Sequence, residues 1–211
     1  IKRNIMDNYI EQFVAAFKFL EKFEPELVAM KVDYAELAET YRNISDQHVT
    51  LDYKILHSHL LQAAKFSVEN FAKQQPVEHQ CLSVHFNFQH WLKQQKLGQY
   101  ADFKLTVGNV YYKGSNVYKT SKTKIKQMIR SGPQLSETLD LHVWLTLDDM
   151  TIYDLSIIPT LRAKGYIKHK QGSSPEVLVF RPGEKSDYEY RPLLVDDSFF
   201  HRVDRIRGIY P

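Results

Sequence analysis

Three residues of this chain are of the types, and in the order, that nucleophilic chemistry uses: Cys81, His142 and Asp154. Cys81 is the one cysteine among 211 residues and directly precedes Leu82–Gln95, an apolar-periodic stretch that reads as a helix. A helix N-terminus stabilises a thiolate through its unpaired N–H groups and its dipole, and the thiolate is the nucleophilic form of the residue. His142 stands in the alternating stretch Leu139–Leu147 and Asp154 in Thr151–Ile158. The two flank Asp148-Asp149-Met150, a pattern that predicts a hairpin. With the turn centred near residue 149, His142 lies seven residues before it and Asp154 five after. Equal parity puts both side chains on one face, roughly diagonal to each other. An imidazole held by a carboxylate and turned toward a thiolate is a Cys–His–Asp triad, suited to attack on a carbonyl. Each residue taken singly is also an ordinary core residue, because a lone Cys packs as a small hydrophobe and a His beside a Trp packs as a ring. Their order, the helix-start position and the hairpin pairing set them apart together.

The arrangement resembles the transglutaminase-like branch of the papain-like cysteine enzymes. That family has a Cys opening a helix that ends near a Trp-Leu pair, here Trp91-Leu92. A β-region follows with an H-x-W strand, here His142-Val143-Trp144, and then a hairpin leading to an Asp and a small hydroxyl residue, here Asp154-Leu155-Ser156. The resemblance covers about residues 76–160. It implies Cys81 as nucleophile, His142 as base and acid, and Asp154 as the orienting carboxylate. Acyl transfer also needs an oxyanion stabiliser. Papain-like enzymes carry a Gln a few residues before the Cys, which points to Gln75; the Gln80 amide and the backbone N–H of Cys81 are the alternatives. The family often has Gly shortly before the Cys, whereas this chain has Glu78-His79-Gln80.

Other constellations are weaker. His85 lies one helical turn after Cys81, a spacing open to a metal pair, but structural zinc needs four ligands and no others are evident. No metal site is expected. His57 and His59 do not converge on one helix face and are expected to be solvated. Asp148-Asp149 and Asp196-Asp197 read as turn and cap residues. There is no G-x-x-x-x-G-K, G-x-G-x-x-G or G-x-S-x-G sequence. Nucleotide cofactors and a serine elbow are therefore not indicated, and no cofactor is expected.

The elements that must position the triad follow from periodicity. Residues 4–23, 26–43 and 50–73 predict an all-helical N-terminal third. Pro76 ends that run, and the Cys81 helix follows, with Gly98 in its C-terminal loop. Lys104–Tyr112 is strand-like, Thr120–Arg130 a short basic helix stopped at Ser131-Gly132-Pro133, and Gly172–Pro175 a loop. Val177–Phe180 and Tyr188–Val195 read as a second hairpin around Pro182-Gly183, with a closing helix over Asp196–Val203. Helices first and strands later argue an α+β fold. The expected architecture is a papain-like, transglutaminase-like core with an antiparallel sheet over residues 76–211, carrying an N-terminal helical layer over residues 1–75.

Composition bounds the function. With 43% apolar residues, 13 Tyr and 12 Phe, the chain can build a full core, and no apolar run approaches a membrane span. The formal charge is only +3, but seven Lys/Arg and no acid fall in residues 103–136. This segment is open to an acidic partner at the cleft or to a phosphate backbone. The expected function is thiol-dependent acyl chemistry on an amide of a protein or peptide: hydrolysis, Gln deamidation or amide transfer. Two readings stand beside it, a non-catalytic binding module on the same fold and a nucleic-acid-associated protein using residues 103–136. Nucleic acid and membrane are not the expected partners. Self-association is left open, and the lone thiol fits a cytoplasmic location.

Overall fold

The computed structural model describes residues 2–95, 100–131, 140–168 and 176–203. The loops expected at Gly98, Gly132-Pro133 and Gly172–Pro175 lie outside them. The fold is mixed helix and antiparallel sheet, the sheet curling into a half-barrel.

The expected first helix is α1 (Lys2–Phe19), tightening into a 3₁₀ turn at Leu20–Lys22. The second expected helix divides into α2 (Pro25–Met30) and α3 (Tyr34–Ser45), because Lys31 adopts the left-handed conformation and Asp33 then caps α3. The third is α4 (Leu51–Ala72), and the Cys81 helix is α5 (Cys81–Gln94). The strands and later helices run β1 (Phe103–Tyr112), β2 (Ser115–Asn116), α6 (Lys122–Ser131), β3 (His142–Leu147), β4 (Ile152–Asp154), α7 (Ile157–Ala163), β5 (Leu178–Phe180), β6 (Tyr188–Val195) and α8 (Phe199–Val203).

The sheet order is β2-β1-β3-β4-β5, with β6 paired along β1. The second hairpin expected from the sequence is therefore absent: β5 pairs with β4 and β6 with β1. Ten-residue β1 offers the long eight-residue β6 a full edge, which three-residue β5 does not. The strand expected over Thr151–Ile158 is also shorter, because its second half winds into α7.

All six residues of β3 are buried, since helices cover both sheet faces. On one face Leu105, Val107, Val143, Leu145 and Tyr153 pack with Leu60, Ala64 and Val68 of α4 and Val84, Phe88 and Leu92 of α5. On the other, Trp144, Ile152 and Tyr190 pack with Tyr9, Ile10 and Phe13 of α1 and Ala38 of α3. The N-terminal helices thus divide between the two faces instead of forming one layer. Trp144 Nε1–H donates to Tyr9 Oη at 3.1 Å and joins α1 to the strand that carries His142.

Candidate active site

The site is assembled where β3 and α5 both begin. In the β3–β4 hairpin Leu145 faces Tyr153 and Thr146 faces Ile152. Continuing that register puts Asp154 opposite Trp144, with His142 one same-face step further along, the diagonal expected from parity. His142 Nε2 and Asp154 Oδ2 are 2.5 Å apart, and both side chains are fully buried. Asp154 accepts three more hydrogen bonds, from Tyr190 Oη on β6 at 2.6 Å and from the Ser156 and Ile157 N–H groups at 3.0 and 2.9 Å. The last two close an Asx-type turn that leads the chain from β4 into α7, whose N-cap is Ser156.

The second nitrogen of His142, Nδ1, is buried and makes no hydrogen bond of ordinary geometry. The Cys81 side chain is nonetheless among the groups that favour the protonated imidazole. The thiol itself meets the Leu141 carbonyl at 3.8 Å. Burial opposes charge on His142, but the Asp154 carboxylate and Cys81 outweigh it and raise the imidazole well above its ordinary range. Burial likewise opposes charge on Asp154, yet the two imidazoles and the Tyr190 hydroxyl hold it below the usual carboxylate range. The two shifts describe one ion pair seen from each side.

Cys81 is 6% exposed and lies at the wall of a cleft of about 360 Å³, large enough for a side chain or short peptide segment. Leu82, Ser83, Tyr118, Leu141 and Lys164 share that wall. Gln80 precedes α5 without any side-chain cap, so no side chain competes for the N–H groups of the first helical turn. These backbone donors, with the Gln80 amide beside them, are the available oxyanion partners. Gln75 is exposed just beyond α4 and is not among the cleft residues, so the oxyanion role implied for it has no support from its position.

The missing glycine before the nucleophile has a direct explanation. His79 adopts a left-handed backbone, φ 65°, that glycine takes without penalty and other residues at about 1–2 kcal/mol. Its N–H donates to Thr160 Oγ1 of α7 at 3.3 Å, and Tyr118 also hydrogen-bonds Thr160. The turn that precedes Cys81 is thereby pinned to α7. A true glycine is required elsewhere, at Gly108, which pairs with His142 across β1 and β3. A Cβ there would lie 2.2 Å from the Arg191 carbonyl oxygen and 2.9 Å from the Trp144 ring.

His85 is not half of a metal pair, and no group of three metal-binding side chains occurs among the described residues. It is fully buried; its Nδ1–H donates to the Cys81 carbonyl at 2.5 Å and its Nε2 accepts from the Leu155 N–H at 2.8 Å. Those two bonds fix a neutral tautomer, and burial holds its pKa down to about 4. The ring is a strut between α5 and the residue that follows Asp154. Sequence spacing brought His85 beside Cys81; only the fold shows what its second nitrogen meets. Tyr190 and Tyr118 carried no sequence signal at all, since both reach the site through long-range packing. Tyr118 stacks on the His142 ring, with centroids 4.8 Å apart.

A second imidazole contradicts its expected solvation. His57, on α4, hydrogen-bonds Tyr153 Oη at 2.7 Å through Nδ1 and Asp149 Oδ2 at 2.9 Å through Nε2. Arg181 adds a bond to Asp149 Oδ2 at 2.9 Å, and Thr151 two more. Asp149 is a turn residue as expected and also the anchor that holds α4 to the hairpin. His59 is exposed.

No family model, no curated protein and no solved structure matches the chain.

Proposed function

We propose that the protein carries out thiol-dependent acyl chemistry on an amide, with Cys81 as nucleophile, His142 as base and acid, and Asp154 as the carboxylate that orients the imidazole. One observation carries the reading. The buried His142 gives one nitrogen to Asp154 at 2.5 Å and leaves the other without a hydrogen bond of ordinary geometry, while Cys81, at the wall of a cleft, is among the groups that act on the ring. A ring kept only for packing would have both nitrogens satisfied, because a buried unpaired polar atom costs about 1–3 kcal/mol.

Cys81 would attack the carbonyl as His142 takes or already holds the thiol proton. The backbone N–H groups at the start of α5 receive the oxyanion. His142 then gives its proton to the leaving amine, and water or a second amine resolves the thioester. Hydrolysis, Gln deamidation and amide transfer share these steps up to the thioester. The order of residues and the two-ended use of His142 support placement in the transglutaminase-like branch of the papain-like enzymes.

An activated ester tests the acyl step without knowledge of the substrate. With p-nitrophenyl acetate, wild type should release a burst of nitrophenol and gain one acetyl group on Cys81, read by intact mass. His142→Ala should abolish the burst and Asp154→Asn should reduce it less, because Asp154 acts through the ring. A protein that gains no acetyl group while folded, or gains it equally without His142, is a binding module and not this enzyme.

A further inference from the structure

Beyond the reaction class, and resting on that reading, we infer that the acyl donor is an acidic peptide or protein segment, selected by Lys164 in the cleft and by the basic face of α6 beside it.

The cleft, which Cys81 and His79 line, carries two formal charges, Asp140 and Lys164. Asp140 is met by Lys124 of α6, with 3.4 Å between Lys124 Nζ and Asp140 Oδ2. Lys164 has no carboxylate partner among the described residues. Its ammonium sits 4.9 Å from the centre of the Tyr118 ring, and that ring lies on His142. One aromatic ring thus separates an exposed cation from the catalytic imidazole. A cation over a ring face is held in place by the ring's quadrupole while its outer side stays open to a ligand.

The Lys124–Asp140 pair does more than neutralise the cleft: it places α6 at the cleft's edge. That helix carries Lys122, Lys124, Lys126 and Arg130 and no acid. Only Lys124 is in an ion pair among the described residues. Ile125 is the fully buried anchor of α6, which leaves the charged residues on its outer side. The field extends onto the end of α1, where Lys22 and Lys122 lie 5.7 and 5.1 Å from the same Phe19 ring. Like charges brought together without counter-ions destabilise the free protein and stabilise a complex with an anionic partner. A phosphate backbone would satisfy the same charges, but it offers the thiol no acyl group. A segment rich in Asp and Glu supplies both the charge and the carbonyl.

Two measurements on the intact chain test this through its single thiol. The first is the ratio of Cys81 alkylation by iodoacetate to that by iodoacetamide at low salt. Lys164→Gln should lower the ratio roughly three- to five-fold and Lys164→Glu further, and the wild-type ratio should fall with added salt, as expected for a charge acting over several ångströms near a surface. The second is protection of Cys81 from iodoacetamide by three ligands of equal length: a Glu-rich peptide with a central Gln, the same peptide with Lys for Glu, and single-stranded oligo-dT. The Glu-rich peptide should protect at roughly ten-fold lower concentration than either of the others, and Lys122→Gln/Lys126→Gln/Arg130→Gln should erase that advantage. An alkylation ratio indifferent to Lys164 overturns the inference. So does equal protection by the two peptides, or stronger protection by the oligonucleotide. The reading beneath it fails separately, through acylation of Cys81 that ignores His142.

Discussion

His142 with Asp154 and His57 with Asp149 are both imidazole–carboxylate pairs hung on the β3–β4 hairpin, with ring-to-carboxylate distances of 2.5 and 2.9 Å. They differ in what is left over. In the His57 pair each ring nitrogen has a partner, Asp149 is also met by Arg181, and no thiol is near. Every polar group is spent on joining α4 and β5 to the hairpin. In the His142 pair Asp154 is fully satisfied, but one nitrogen of the ring is not, and Cys81 is among the groups that act on that ring. The same two residue types, each with its carboxylate on that hairpin, thus make a fully satisfied brace in one place and, in the other, the pair on which the proposed chemistry rests. The number of partners left for the imidazole separates them, not the pairing itself.

The sharpest way to break this comparison is to remove the carboxylate of the brace. Asp149→Ala leaves Arg181, whose side chain is 11% exposed, without its main counter-charge. Loss of a buried partner of this kind should destabilise by about 3–5 kcal/mol in urea unfolding. In the fraction that remains folded, Cys81 alkylation should stay within about two-fold of wild type. A brace variant that silenced the thiol would show that the two pairs are one unit.

Exchanging the histidines comes next. His142→Ala should slow iodoacetamide alkylation of Cys81 at pH 6–7 by about ten-fold or more, since the raised imidazole is still protonated there and favours the thiolate. That advantage should decline as pH rises through the elevated pKa of His142. His57→Leu should instead lower the urea midpoint by the equivalent of about 1–3 kcal/mol and leave the alkylation profile in place.

The smallest effect belongs to Asp148, beside the brace. One of its carboxylate oxygens is buried without a partner, and burial together with Asp149 pushes its pKa up to about 6. A raised carboxyl favours folding when protonated, so this contribution is lost as pH rises from about 4 through about 6. Asp149 and Asp154 have the opposite sign: they are held low, and their stabilisation is present above about pH 4 and lost as pH falls below it. Asp148→Asn should therefore stabilise the protein at pH 8 by about 1 kcal/mol, after discount for its partial exposure, and by nothing measurable at pH 4. The comparison is of urea midpoints at the two pH values.

What the sequence carried was local and periodic. The two-residue period of a strand makes parity a reliable guide, so His142 and Asp154 could be placed on one face without knowing the sheet. The helix start at Cys81 was equally legible. The partners that refine the site were not, because they arrive through pairings that no local pattern encodes. Tyr190 reaches Asp154 because β6 lies along β1, while the proximity of β5 and β6 in the chain suggested the wrong neighbour. Spacing placed His85 beside Cys81 but not its partners: one turn of helix brings its ring to the carbonyl of Cys81 and not to the thiol. The left-handed turn at His79 was hidden because glycine, its usual marker, is absent.

The contact between α1 and β6 has a consequence for how the molecule comes into being. The first helix packs on the last strand, and that strand pairs with β1 and supplies the Tyr190 hydroxyl that Asp154 accepts. During synthesis Tyr9, Ile10 and Phe13 can meet α3 early, but their cover from the sheet waits until its strands are made. Pairing over such sequence distances is slow and leaves sticky intermediates. Until it closes, Asp154 lacks one of its donors and α1 lacks its contact with β6. The hydrogen-bonded surroundings of Asp154, and of the His142 ring it holds, are thus complete only once β6 is in place.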